Sequence, residues 1–279
     1  MESVKFKIAK DVIFKTLIVF LSGFSIIPLF LLLLFIIKNG IKMISFDFLF
    51  NLPKPLGESG GGILNSIVGT ALLILIASSF SIPTGILIGI LIAEVKNKFT
   101  EILRVLVNVL QGTPSIVIGI IAYIWIVRPM GGFSAFSGGV ALSLMMLPMV
   151  IKSTEESLRL IPPYLKEASY ALGVSYTRTI LKVILPAGLE GIICGVLIGI
   201  SRIAGETAPL IFTSFGNPFL NINPLKPVDA LPLLIFNYAM SPYEDWHKIA
   251  WGASFILVIL VMALNLIIKV GNKKWKVEF

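Results

Sequence analysis

Arg202 and Glu206 stand four residues apart in "RIAGETAPLIF", at the end of a long apolar stretch of this 279-residue chain. A guanidinium offers five N–H donors in a planar fork, which suits an oxyanion, and a nearby carboxylate can neutralise it. Facing lipid, a charge costs at least about 2.5–3.5 kcal/mol, so ionisable residues in such a run belong on a protein-facing or water-facing side. Two chemistries fit. The residues could form an i, i+4 ion pair that fixes the register of one helix, although Arg before Glu is the less favourable order. Alternatively, Arg202 gives transient charge-assisted hydrogen bonds to a crossing anion, while Glu206 keeps that anion from binding too firmly. Thr207, next to Glu206, and Thr113 and Ser115 in "QGTPSIVIG" add hydroxyls to the candidate path. Pro114 frees a helical carbonyl there, which is tolerated against protein or a wet cavity; a packing kink is the other reading of that segment.

The elements that position these residues follow from composition. Hydrophobic residues make up 56% of the chain and charged residues 14%, against about 25% charged in soluble domains. Apolar runs at roughly 16–37, 64–93, 105–127, 134–151, 187–209 and 249–268 are each long enough for a membrane span. The predicted architecture is therefore all-α and polytopic, with six transmembrane helices. Lys5, Lys7, Lys10, Lys15, Lys96, Lys98, Arg104, Lys152, Arg159, Lys166, Arg178, Lys182, Lys269, Lys273, Lys274 and Lys276 fall on one side. Only Lys38, Lys42, Lys54, Arg128, Lys226 and Lys248 fall on the other, so the first side is expected to be cytoplasmic, with both termini. The net charge of +8 thus orients a membrane protein and does not call for nucleic acid. The chain divides into residues 1–60, holding the first span and an external loop, and a five-span core at 61–279.

In the fifth run Gly188, Gly191, Gly195 and Gly199 recur at three- and four-residue intervals, a stripe that lets another helix approach closely. Continued by three and four, the stripe reaches Arg202 and Glu206, roughly 24 Å beyond Pro186 for the arginine. Between spans four and five, a cytoplasmic loop at about 153–186 contains "PPYLKEASYALGVSYTRTILKVILP". Its prolines can open a helix, Leu165, Ala168 and Leu172 form an apolar face with Lys166 and Glu167 turned away, and Gly173 can end it. Such a helix could dock a soluble partner or lie flat on the membrane. A second helix is expected over 175–185. The proline-rich stretch 210–248 is external and cannot be one helix; its "ALPLLIFNYAM" reads as a short re-entrant or interfacial helix, with Tyr238, Tyr243 and Trp246 at headgroup depth.

Glu167-Ala168-Ser169, Gly173 and Leu185-Pro186 resemble the EAA loop of ABC importer permeases, with Ser169 at the third small position and Val183 in place of Ile. "RIAGETAPLIFT" resembles the matching segment of the phosphate-specific members. "TPSIVIGI" and "ALPLLIFNYAMSPYEDWHKIAWGAS" are similar to their A-type subunit, a likeness running from about Gly61 to Asn265. The resemblance implies the type I ABC importer permease fold in a prokaryotic inner or plasma membrane. It implies that Arg202 and Glu206 are the charged pair of a path for inorganic phosphate, and that Leu165, Glu167, Ala168, Ser169, Leu172 and Gly173 belong to a helix coupled to the ATPase. The partners implied are a PstC-like permease, a PstB-like ATP-binding dimer that uses ATP and Mg, and a PstS-like external phosphate-binding protein. A permease for sulfate or molybdate, and a self-sufficient channel or secondary transporter, are the alternatives.

The remaining candidates read as structural. Cys194 lies in an apolar run and packs; with one Cys and one His the chain offers no Cys/His metal site or disulfide. Glu190 sits one turn past Pro186 and can reach the interface, and His247 reads as an interfacial surface residue. No Gly-Lys-Ser/Thr follows glycines 60–62, so ATP must be hydrolysed elsewhere, and neither a Gly-x-Ser-x-Gly nor a His-Glu-x-x-His motif supports an enzyme.

Overall fold

The computed structural model describes residues 4–55, 57–58 and 60–274; Lys276, counted above among the cytoplasmic charges, lies outside them. Helices α1 (Val4–Gly40), α2 (Phe46–Phe50), α3 (Leu64–Glu94) and α4 (Lys98–Gly112) come first. They are followed by α5 (Ser115–Met130), α6 (Ala135–Arg159), α7 (Pro163–Ala171) and α8 (Tyr176–Ala204). The chain closes with α9 (Ala208–Ile211), α10 (Leu231–Ala239) and α11 (Glu244–Lys274). Five helices are long and apolar enough to cross a membrane, and the bent pair α4 and α5 makes a sixth if taken as one span. That count returns both ends of the described chain to the side carrying α7.

Helix α6 is the axis. Two thirds of its most apolar stretch (67%) is buried, against none of that of α1, so α6 is the core and α1 its periphery. Leu142, Met146 and Val150 of α6 pack with Leu73 and Ala77 of α3 and Ile203 of α8. Close approach is set by small residues: a methyl added at Gly85 of α3 would lie 2.7 Å from Val150, and one at Gly188 of α8 would lie 2.9 Å from Leu158. α1 touches the bundle at its C-terminal end, where Gly40 seats against Trp251 and Phe255 and Phe35 meets the Trp251 ring edge-on at 5.1 Å.

Two expected spans are drawn differently by the fold. The third, 105–127, is not one kinked helix: α4 and α5 meet at Thr113-Pro114 with a bend of 105°. A proline pushes the residue before it out of the helical region, and Thr113 is extended (φ −72°, ψ 130°). The fifth, 187–209, begins earlier and ends earlier. The expected 175–185 helix runs into it through a π turn at Ile180–Ile184, and the whole stops at Ala204. Another π turn, Tyr123–Val127, also ends two residues before a proline, Pro129. Proline cannot donate to the carbonyl one turn back and its ring crowds that oxygen; widening the turn relieves both and keeps the helix continuous.

Candidate translocation site and coupling loop

The four glycines of the α8 stripe face α6. A methyl on Gly191 or Gly195 would overlap Ser157 or Ser153, and one on Gly199 would come within 3.0 Å of Met146. Arg202 emerges just past this contact, in the last turn of α8, where unsatisfied carbonyls favour a cation. Glu206 is no longer on the helix. Gly205 caps it, the Glu206 N–H donates to the Ile203 carbonyl at 3.2 Å, and α9 starts only at Ala208. The pair expected within one helix therefore spans a helix end, with Arg202 Nε 3.8 Å from Glu206 Oε1. This is longer than a charge-assisted hydrogen bond, and the side chains keep 40% and 21% of their surface exposed. One residue earlier, the Ser201 hydroxyl is buried without a hydrogen-bond partner.

Ser115, the first residue of α5, brings its hydroxyl toward the Glu206 carboxylate. The approach is fixed by Gly119 one turn on, where an added methyl would meet Pro209 Cα at 2.7 Å. Two unwound segments, 113–114 inside the third span and 205–207 just past the end of the fifth, thus lie near one carboxylate. Irregular backbone at membrane depth is tolerated only inside protein or beside water, so lipid is excluded as the sole neighbour of these segments. The N-terminal end of α5 presents the positive end of a helix dipole to Glu206, while Arg202 sits at the negative end of α8. Thr113 turns its hydroxyl back on α4, donating to the Val109 carbonyl at 2.7 Å; Thr207 reaches the Pro232 carbonyl at 3.4 Å and ties this region to α10.

On the opposite side of the membrane-spanning bundle, α7 opens at Pro163 and ends in a Schellman motif. Gly173 takes φ +74°, its N–H donates to Tyr170 O at 2.9 Å, and the Val174 N–H donates to Ser169 O at 3.2 Å. The expected face of Leu165, Ala168 and Leu172 is split. Leu165 packs inward with Ile161 and Ile180, whereas Ala168 is exposed and Leu172 is 84% exposed, beside Glu167 and Tyr164 on the open face. Ser169 is buried and shares a hydrogen bond of 2.8 Å with Thr179 of α8, which gives the hydroxyl at that position a partner a methyl would lack. Lys166, expected to face away, instead pairs with Glu94 at the end of α3 at 2.5 Å.

The binding-protein-dependent transport system inner membrane component family matches residues 85–273. The phosphate transport system permease protein PstA of Yersinia pestis is 40% identical over 242 residues, 86% of this chain and 82% of that protein. The probable phosphate transport system permease protein PstA of Methanocaldococcus jannaschii is 36% identical over 269 residues, 96% of this chain and 95% of that protein. The chain belongs to the PstA family. Among solved structures, a bacterial ABC transporter involved in the import of the acidic polysaccharide alginate matches with a TM-score of 0.68 at 15% identity, covering 98% of this chain and 99% of that one. The MetNI methionine ABC transporter in an inward-facing conformation matches with a TM-score of 0.62 at 19% identity, covering 77% and 95%. These two carry the fold: the PstA-family chain is a multi-pass, all-α permease of the type I importer class.

The fold of this PstA-family chain also uses polar residues that the sequence reading passed over. Asn65, Ser66 and Thr70 line one side of the N-terminal part of α3 and hold the 210–243 loop. Asn65 donates to the Asn217 carbonyl at 2.8 Å, Ser66 to Asp229 Oδ2 at 2.6 Å, and the Leu231 N–H donates to the Thr70 hydroxyl at 2.8 Å. Burial pushes the Asp229 carboxyl up from 3.8 to about 6, against the hydrogen bonds from Ser66 and the Ala230 N–H. The predicted short helix in that loop is α10, and Tyr238 stacks on Trp246 at 4.6 Å with Tyr243 edge-on at 5.5 Å. The signal for these contacts was Asn65, Ser66 and Thr70 at the start of a mostly apolar run, which marks one helix face but not what covers it.

Proposed function

We propose that this chain forms one half of the conduit of an ATP-driven importer of inorganic phosphate, in which Arg202 is the cation that the anion meets as it loses water. The chain is a transmembrane permease subunit of that importer, as its PstA relatives are named. The observation that carries the conduit reading is the exposure of the Arg202–Glu206 pair at a helix break, on a face this chain does not cover. A half-exposed guanidinium at this depth needs a protein or aqueous neighbour, and a second permease of PstC type supplies the missing wall. Glu206, with Ser115 and Thr207 close by, offsets part of the charge on Arg202 so that phosphate is passed on and not trapped.

Both termini and α7 face the cytoplasm in this reading. The open face of α7, with Glu167, Ala168 and Leu172, docks on one of two ATPase subunits, which bind ATP and Mg; Leu165, Ser169 and Gly173 fix how that face is presented. An external phosphate-binding protein delivers the anion on the other side. Closure of the ATPase pair pushes α7, and the broken third span and the end of the fifth rearrange to expose the site alternately to each side. Reconstitution of the purified complex in liposomes tests this: phosphate uptake should require ATP, both permeases and the binding protein. Uptake by this chain alone without nucleotide would overturn it. Ala168→Glu should abolish copurification of the ATPase while the two permeases remain associated.

A further inference from the structure

Glu94 is the last residue of α3 and faces inward, its side chain 8% exposed. The Lys166 ammonium of α7 lies 2.5 Å from its Oε1, and the Tyr176 hydroxyl, at the first residue of α8, lies against the same carboxylate. One acidic group therefore joins three helices where they enter the membrane. Below it, Ile86 and Ile90 of α3 and Leu165 of α7 pack against an apolar cluster that includes Ile180 and Ile184 of α8. Apolar contacts of this kind let helices slide past one another, because dispersion and burial carry no direction. An ion pair in a mostly buried setting is directional, and separating it leaves an uncompensated charge. The other end of α3 is held by a directional contact of a different kind, the Ser66 hydroxyl donating to Asp229 of the external loop. Ser66 and Glu94 are roughly 42 Å apart along the helix at 1.5 Å per residue, the depth of the whole membrane.

We infer that Glu94 is a positioning residue that forces α3 to move with the coupling helix, so that displacement of α7 by the ATPase is delivered along α3 to the external loop. This rests on the docking of α7 proposed above. Glu94 takes no part in binding phosphate or ATP; removing its charge should disconnect hydrolysis from transport without dismantling the complex.

The test uses the complete complex in proteoliposomes, with inorganic phosphate and its external binding protein added outside. For Glu94→Gln the ATPase should still copurify, while the stimulation of ATP hydrolysis by the phosphate-loaded binding protein falls at least tenfold and phosphate moved per ATP falls with it. Lys166→Gln should behave alike and carries the same test if the α3 variant fails to accumulate. The exchange Glu94→Lys with Lys166→Glu should restore stimulation to within about threefold of the parent, which loss of packing alone would not allow. Parent-like stimulation in both single variants, or an exchanged pair as inactive as either single, overturns the inference. Failure of the ATPase to copurify with the unaltered chain would instead overturn the docking reading on which it rests.

Discussion

Two charge clusters built from the same residue types sit at different levels of this protein, and they are finished differently. Near the α7 end of the bundle, Glu155 of α6 receives Arg104 of α4 at 2.9 Å and Arg159 at 3.0 Å, with only 10% of its side chain exposed. Past the glycine stripe, Arg202 and Glu206 approach only to 3.8 Å and both retain open surface. The first carboxylate is doubly paired: two guanidinium groups converge on its Oε1, and Arg104 binds that oxygen through both Nε and a terminal nitrogen. The second arginine keeps donors to spare. A carboxylate closely shared by arginines of α4 and α6 holds those helices in place, and a loosely paired arginine is available to a visitor; the difference lies in how closely each charge is partnered, not in which residues were used.

Substitution at the two sites should separate these roles. Arg202→Gln is expected to have the largest effect on activity, lowering phosphate uptake more than 100-fold while the complex assembles and melts as the parent does; uptake within tenfold of the parent would remove the guanidinium from the path. Glu155→Gln should do the reverse. It leaves two arginines facing each other without a counter-charge, and a loss of about 2 kcal/mol is expected, below the 3–5 kcal/mol of a fully buried pair because both arginines stay partly hydrated. A lower melting temperature in detergent, with transport per assembled complex changed less than threefold, would bear this out.

Asp229 lies between these extremes, buried yet given only neutral hydrogen-bond donors, and its chemistry is readable as pH dependence. Its folded value of about 6 lies above the ordinary 3.8, so the folded state holds the proton more tightly than the unfolded state. The resulting stability is present in full below about pH 4 and is lost as pH rises through about 6, by up to about 3 kcal/mol. The melting midpoint of the detergent-solubilised protein should therefore rise on going from pH 7 to pH 5, and Asp229→Asn should flatten that change. Parallel curves for parent and variant would mean that the carboxylate stays charged. An effect of similar size to that of Glu155→Gln is expected at Gly195, where a methyl meets Ser153: Gly195→Ala should cost about 1–3 kcal/mol, and Ser153→Gly in the same chain should recover most of it.

Much of this was legible before any coordinates. Four of the six hydrophobic runs, the glycine stripe, the Pro-Pro start and Gly173 stop of α7 and a short helix in "ALPLLIFNYAM" follow from local rules, and the fold keeps them. The ends of the fifth span did not follow, because hydropathy is blind to a capping glycine: "AGETAPL" is apolar enough to extend the run, yet Gly205 stops the helix and Glu206 leaves it. Nor did the 105° bend at Thr113-Pro114, since a proline predicts a break but not its angle, which is set by what α4 and α5 each pack against.

The sequence by itself determined that the chain spans a membrane several times, which helix faces are small enough to touch, and that one arginine had to avoid lipid; these depend on transfer free energies and helical periodicity, which act within a segment. Only the tertiary structure decided which charges gain partners from other parts of the chain. Glu94 finds Lys166, Glu155 finds Arg104 and Asp229 finds Ser66 across long stretches of chain, whereas Arg202 pairs, among the described residues, with its near neighbour Glu206 and stays open. Partner number depends on which helices are brought together, and no local pattern encodes it.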